Sequence, residues 1–182
     1  NERVGPAGEV LLPLDPAEVD AMVQTVLEAG YEAVAIGLMH AYANDAHEVQ
    51  MADALRAAAP GMSISLSSVI SPQMRELPRF NTVIANAYVQ PQVANYLGRL
   101  VERLRDAGVT GPVFMLHSGG GLMSVDVAAE QPVRLLESGP AGGAIFAAEF
   151  ARGHGLDRVM SFDMGGTTAK ICLLEDGAHK PA

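Results

Sequence analysis

Hydrophobic and polar positions along the chain switch between a helical spacing and short, unbroken apolar runs. Val19, Met22, Val23, Val26 and Leu27 fall on one face of a helix. Asp15 as N-cap, Pro16 at the first helical position and Glu18 at the third open that helix, and Gly30 closes it. Ala33 to Met39 follows as a continuous apolar run, the pattern of a strand covered on both faces. Asp45 with Glu48 reads as a capping pair for a second helix that buries Val49, Ala52, Leu55 and Ala59, and Pro60-Gly61 stops it. Met62 to Leu66 alternates like a strand, so strand, helix and strand predict a parallel pair with a right-handed crossover.

Further along, Ser71-Pro72 breaks the pattern and Gln73 to Arg79 reads as a charged connection. Asn81 to Tyr88 is predicted helical, with Pro91 restarting a helix that carries Val93, Leu97, Leu100 and Leu104 to Gly108. A strand over Pro112 to Leu116 runs into His117-Ser118-Gly119-Gly120-Gly121, followed by a short helix around Val125 to Glu130 and a strand around Val133 to Leu136. Glu137-Ser138-Gly139-Pro140-Ala141-Gly142-Gly143 opens a helix of small residues that ends at Gly153 and Gly155. Two apolar runs, Val159 to Phe162 and Ile171 to Leu174, then flank a polar turn and predict a hairpin.

Composition narrows the class. The chain has 182 residues, 49% of them apolar with no Trp, so the core is expected to be Ala, Val, Leu, Ile and Met, as in α/β proteins. The net charge of −9 leaves no basic stripe to displace counterions from nucleic acid. Cys172 is the single cysteine; an intrachain disulfide is excluded, and its apolar strand predicts a buried thiol in a reducing compartment. No apolar run approaches the length that spans a bilayer, and a cytoplasmic protein is expected. The absence of an initiator Met and the ending soon after a hairpin are read as marks of a segment of a longer polypeptide.

The hairpin turn carries the candidate chemistry. Gly165 and Gly166 leave the backbone bare for an anion, Thr167 and Thr168 add hydroxyls, and Lys170 adds a point charge. Asp163, at a strand end, is suited to hold magnesium with substrate phosphates. The same residues also suit an ordinary Gly-rich hairpin turn. No Ser-His-Asp signature, H-E-x-x-H or Cys-x-x-Cys is present.

Three stretches carry a resemblance: Ser71 to Glu76 with Asn86 to Pro91, His117 to Ser124, and Glu137 to Gly143 with Phe162 to Lys170. Their order and spacing resemble the hydantoinase A and 5-oxoprolinase family, which includes the acetone and acetophenone carboxylase large subunits. The resemblance implies a segment of an actin-like or sugar-kinase-like ATPase fold, a mixed sheet with flanking helices. Residues 1–156 would form the latter part of the first lobe, with a helical insertion about 72–108, and residues 157–182 the opening hairpin of the second. It implies ATP and Mg2+, with Asp163, Gly165, Gly166, Thr167 and Thr168 as the phosphate and metal loop. Lys170, Gly119, Gly120, Gly139 and Gly142 complete the candidate nucleotide-binding set. The implied reaction is opening of a cyclic amide, 5-oxoproline or a hydantoin, by phosphoryl activation of its oxygen, with a hydantoinase B-type subunit or module as partner. A ketone carboxylase subunit and a nucleotide-switched interaction module are the alternatives. The segment alone, lacking the first phosphate loop and the adenosine-binding segment, is expected to be inactive. Two positions depart from the family pattern: Thr168-Ala169-Lys170 stands where Ser-Thr-Asp is common, and His117 and Gly119 replace Gln and Asn. Lys170 reads either as a phosphate contact or as a surface residue, and His117 as a strand-end residue with a local hydrogen bond or as an acid–base group.

Overall fold

A computed structural model describes residues 1–166, 168–175 and 178–179, the last two by backbone only. Helices alternate with small sheets of two or three strands, an α/β arrangement. Contacts divide the chain into two compact units, 1–108 with 129–133, and 109–128 with 134–182. The lobe boundary at 156/157 is an expectation about the whole protein.

Unit 1 begins with an antiparallel pair, β1 (Arg3–Val4) and β2 (Val10–Leu12), before α1 (Pro16–Ala29). The Asp15 carboxylate accepts from the Ala17 N–H at 2.9 Å, and Gly30 adopts φ 67°, its N–H reaching the Leu27 carbonyl. Asp15→Ala is expected to cost about 1 kcal/mol, measured by urea denaturation, because the freed amide has only water to turn to. The strands β3 (Ala33–Ile36) and β4 (Ser63–Leu66) pair in parallel across the helix α2 (Ala46–Ala58), as the crossover pattern predicts. Val19 and Val23 of α1, Ala52 and Leu55 of α2, Ile36 and Leu66 form the buried core.

Several elements differ from expectation. The strand stops at Ile36 instead of Met39 because Leu38 is held by side chains. Its N–H donates to Glu48 Oε1 at 2.9 Å and its carbonyl accepts from Arg79 Nη2 at 2.7 Å. Glu48 is therefore no capping partner of Asp45, whose side chain makes no cap bond; Asn44 Oδ1 accepts the Ala46 N–H instead. Val49 lies exposed, off the buried face assigned to it. Beyond the one-turn helix α3 (Ser67–Ile70), a single helix α4 (Glu76–Asp106) takes in the last four residues of the expected charged connection and runs through the break expected at Pro91. A proline there forfeits one helix hydrogen bond, but Val83, Ala87 and Leu97 are buried on either side and hold both halves in one helix.

Polar groups are packed at the centre of unit 1. Glu48, Ser67, Arg79 and Asn86 are fully buried. Ser67 Oγ donates to Glu48 Oε1 at 2.6 Å and accepts from Arg79 Nε at 3.0 Å, so the hydroxyl joins the two charges. Arg79 Nη1 donates to the Gln73 carbonyl, and its guanidinium lies over the rings of Tyr42 and Phe80. Glu48 Oε2 accepts from the Ser68 N–H at 3.0 Å. At the start of α4, Glu76 sits 3.6 Å from Arg79; its own backbone N–H holds its carboxyl below the usual range, against the opposing effect of burial. Asn86 fastens the returning segment 129–133. Its Nδ2 donates to the Glu130 carbonyl and to Ser65 Oγ, each at 3.0 Å, and its Oδ1 accepts the Val133 N–H at 3.1 Å.

Unit 2 contains the hairpin β5 (Phe114–Leu116) and β6 (Leu122–Ser124), the helix α6 (Ser138–Gly153), and β7 (Arg158–Met164) with β8 (Ala169–Glu175) and β9 (Ala178–His179). Val125–Glu130 forms the expected short helix α5. The strand expected around Val133 to Leu136 is instead a 3-10 helix at Pro132–Leu135. Its backbone is used elsewhere: the Arg134 carbonyl accepts both the N–H and the hydroxyl of Ser118, leaving no ladder to build.

Candidate functional site

The register of β7 with β8 sorts the hairpin into two faces. Met160 lies opposite Leu173 and Phe162 opposite Ile171, and all four are exposed with Met164. On the other face Ser161 lies opposite Cys172 and Asp163 opposite Lys170, while Leu174 is buried. Contacts of α6 with both strands hold this hairpin against the helix.

Beside α6 lies a cavity of about 290 Å³. Ser118, Gly119 and Gly120 form one wall, Glu137, Pro140, Ala141, Ala144 and Ile145 another, and Cys172 of β8 a third. Three stretches far apart in sequence, the loop after β5, the start of α6 and the second strand of the hairpin, thus meet at one place. Ser118 ties two of them: its Oγ donates to the Arg134 carbonyl at 2.6 Å and accepts the Glu137 N–H at 3.1 Å. The Lys170 ammonium ties the third by pairing with the Glu137 carboxylate. Cys172 is partly accessible, not the fully buried thiol its apolar strand suggested, because its neighbour across the gap is a cavity.

The glycines do different work from one another. The loop amides are used within the loop: Gly119 N–H donates to His117 Nδ1 at 3.0 Å and Gly120 N–H to the His117 carbonyl at 2.8 Å. His117 accordingly makes the local hydrogen bond of a strand-end residue. Its ring also explains two glycines, since a Cβ on Gly119 or Gly121 would come within 2.9 or 2.6 Å of it. Gly120 adopts φ 83°, where an L side chain is strained. Gly142 packs so closely on β5 that a Cβ would stand 2.9 Å from Leu116 Cδ2, whereas one on Gly139 would meet nothing within 4 Å. In the hairpin turn the Gly165 N–H donates to the Thr168 carbonyl at 3.0 Å, and a Cβ on Gly166 would point into open space. Thr167 lies outside the described residues.

Asp163 is an exposed carboxylate directly across the ladder from Lys170. Among the described residues no group of three His, Cys, Asp or Glu side chains converges as a metal cage. No helix among the described residues is long and apolar enough to cross a membrane.

The buried groups of unit 1 escaped sequence reading altogether. Glu48 reads as a capping residue and Arg79 as part of a charged connection. The only available hint was the placement of each beside apolar residues that a core needs.

Known proteins match this chain along most of its length. The hydantoinase/oxoprolinase profile covers residues 79–181, and the profile of that family's N-terminal region covers residues 1–59. Caprolactamase subunit alpha of Pseudomonas jessenii is 32% identical over 96% of this chain and 25% of its own length. The crystal structure of ATP-dependent caprolactamase from the same organism superposes with a TM-score of 0.85 over 94% of this chain and 25% of that one. The 5-oxoprolinase of Saccharomyces cerevisiae is 32% identical over 95% of this chain and 14% of its own length. The acetophenone carboxylase gamma subunit of Aromatoleum aromaticum is 28% identical over 97% and 25%. The chain therefore spans a quarter or less of the length of these relatives. With one profile covering more than half of its residues, the chain belongs to the hydantoinase/oxoprolinase family.

Proposed function

We propose that this chain is the phosphate-loop portion of an ATP-dependent enzyme that opens cyclic amides, 5-oxoproline or a hydantoin. The observation that carries the reading is 32% identity, along nearly the whole chain, to both caprolactamase subunit alpha and a 5-oxoprolinase. The fold is then a segment of an actin-like ATPase, with the lobe boundary near 156/157 and the hairpin after it carrying the second phosphate loop. ATP, when bound, would supply the phosphoryl group that activates the resonance-stabilised amide carbonyl towards water, after which the ring C–N bond breaks and phosphate is released. Asp163 would hold Mg2+, and Gly165, Gly166, Thr167 and Thr168 would line the phosphates. Gly119, Gly120, Gly139 and Gly142 would shape the neighbouring wall. A hydantoinase B-type subunit or module would complete the reaction, and a cytoplasmic location goes with this reading.

Substrate-stimulated ADP release by the whole protein with its partner tests this. 5-Oxoproline, hydantoins and a ketone with labelled bicarbonate are supplied in turn. A cyclic amide is expected to stimulate turnover, and Asp163→Asn to lower it by about 10- to 100-fold. Label entering a carboxylate product would move the reading to the ketone carboxylases, which the 28% identity to acetophenone carboxylase gamma subunit keeps in view. Turnover indifferent to every substrate would overturn both.

A further inference from the structure

Most polar donors around the cavity of unit 2 are already committed. The amides of Gly119, Gly120 and Gly165 donate to groups of their own loops, and the Ser118 hydroxyl donates to Arg134. Among the described residues of the cavity wall there is no Lys or Arg, and one carboxylate, Glu137. By itself that carboxylate would repel an anion. The cation that answers it is Lys170, which the ladder places on the α6 face of β8, two residues before the wall residue Cys172.

We propose that Glu137 and Lys170 form a charge switch that sets the affinity of this cavity for a phosphate-bearing ligand. The oxyanion competes with Glu137 for the ammonium and draws Lys170 onto itself. This rests on the ATP-dependent reading above. The pair suits such an exchange. Both side chains are substantially exposed, at 38% for Lys170 and 63% for Glu137. Ion pairs of that kind are weakly held and change partners easily. A phosphate offers the ammonium more charge and more acceptor oxygens than one carboxylate does. Asp163, directly opposite Lys170 in the ladder, is a second acid near it, while Glu137 is the carboxylate the ammonium pairs with.

The two members of a switch respond in opposite directions, whereas a pair that merely clips β8 to the start of α6 does not. Titration calorimetry on the whole protein, with ATP and separately with inorganic triphosphate, each with and without Mg2+, separates the cases. Glu137→Gln is expected to tighten both ligands about two- to fivefold, the scale of an exposed charge pair. Lys170→Met is expected to weaken both by about tenfold, the scale of a lost charge-assisted hydrogen bond. Lys170→Arg keeps affinity within about twofold because it keeps the charge. In Lys170→Met/Glu137→Gln the effects are non-additive, as for groups in contact. If the wild type binds while both single substitutions weaken binding equally, or neither alters it, the switch is wrong and the nucleotide reading stands. If the wild type binds neither ATP nor triphosphate, both fall.

Discussion

Glu48→Ala will destabilise unit 1 by about 3–5 kcal/mol in urea denaturation, the scale of breaking a buried charge network from one side. The carboxylate is fully buried and accepts three hydrogen bonds, from the N–H groups of Leu38 and Ser68 and from the Ser67 hydroxyl. Its loss strands two amide donors and leaves Arg79, itself fully buried, without the negative charge that Ser67 connects to it. Arg79→Met is expected to cost a similar amount, since it frees the carbonyls of Leu38 and Gln73. Because the two act through one hydroxyl, the double variant Glu48→Ala/Arg79→Met should lose clearly less than the sum of the singles. Strict additivity would mean that the network is two independent sets of contacts.

Asn86→Ala carries the second largest effect, about 3 kcal/mol, from the buried groups left without partners. The side chain's three bonds tie two segments together: one to Ser65 on β4, and two to Glu130 and Val133 of the returning stretch. Alanine removes the partner of the Val133 N–H and of the Glu130 carbonyl. Hydrogen exchange reads this locally. Val133 should lose protection first, before the amides of β3 and β4; uniform loss across unit 1 would show that Asn86 supports the core and not the returning segment.

The contrast between legible and illegible elements follows from which forces each residue answers to. α1 was readable because its cap, its apolar stripe and its terminal glycine are local signals, and the structure keeps all three. The parallel pairing of β3 and β4 followed from strand, helix and strand in order. The apolar run 33–39 outlasts the strand because apolarity marks burial and not backbone pairing, and Leu38 finds its partners in Glu48 and Arg79. Pro91 was read as a helix start from its local preference, while burial on both sides overrides it. At the candidate site, the three glycine-bearing stretches were visible as motifs, and the cavity that unites Gly119, Gly120 and Glu137 with Cys172 was not. Pairing of Lys170 with Glu137 spans 33 positions, and no periodicity encodes it.

The detour of unit 1 through 129–133 sets an order of events on the ribosome. Asn86 waits for partners 44 and 47 positions downstream, so the segment that completes the first unit is made only after the chain has entered the second. At about 5–20 residues per second, that interval lasts roughly two to nine seconds. Throughout it Asn86 can bond only to Ser65 behind it, and the nascent unit is open along the seam that residues 129–133 will close.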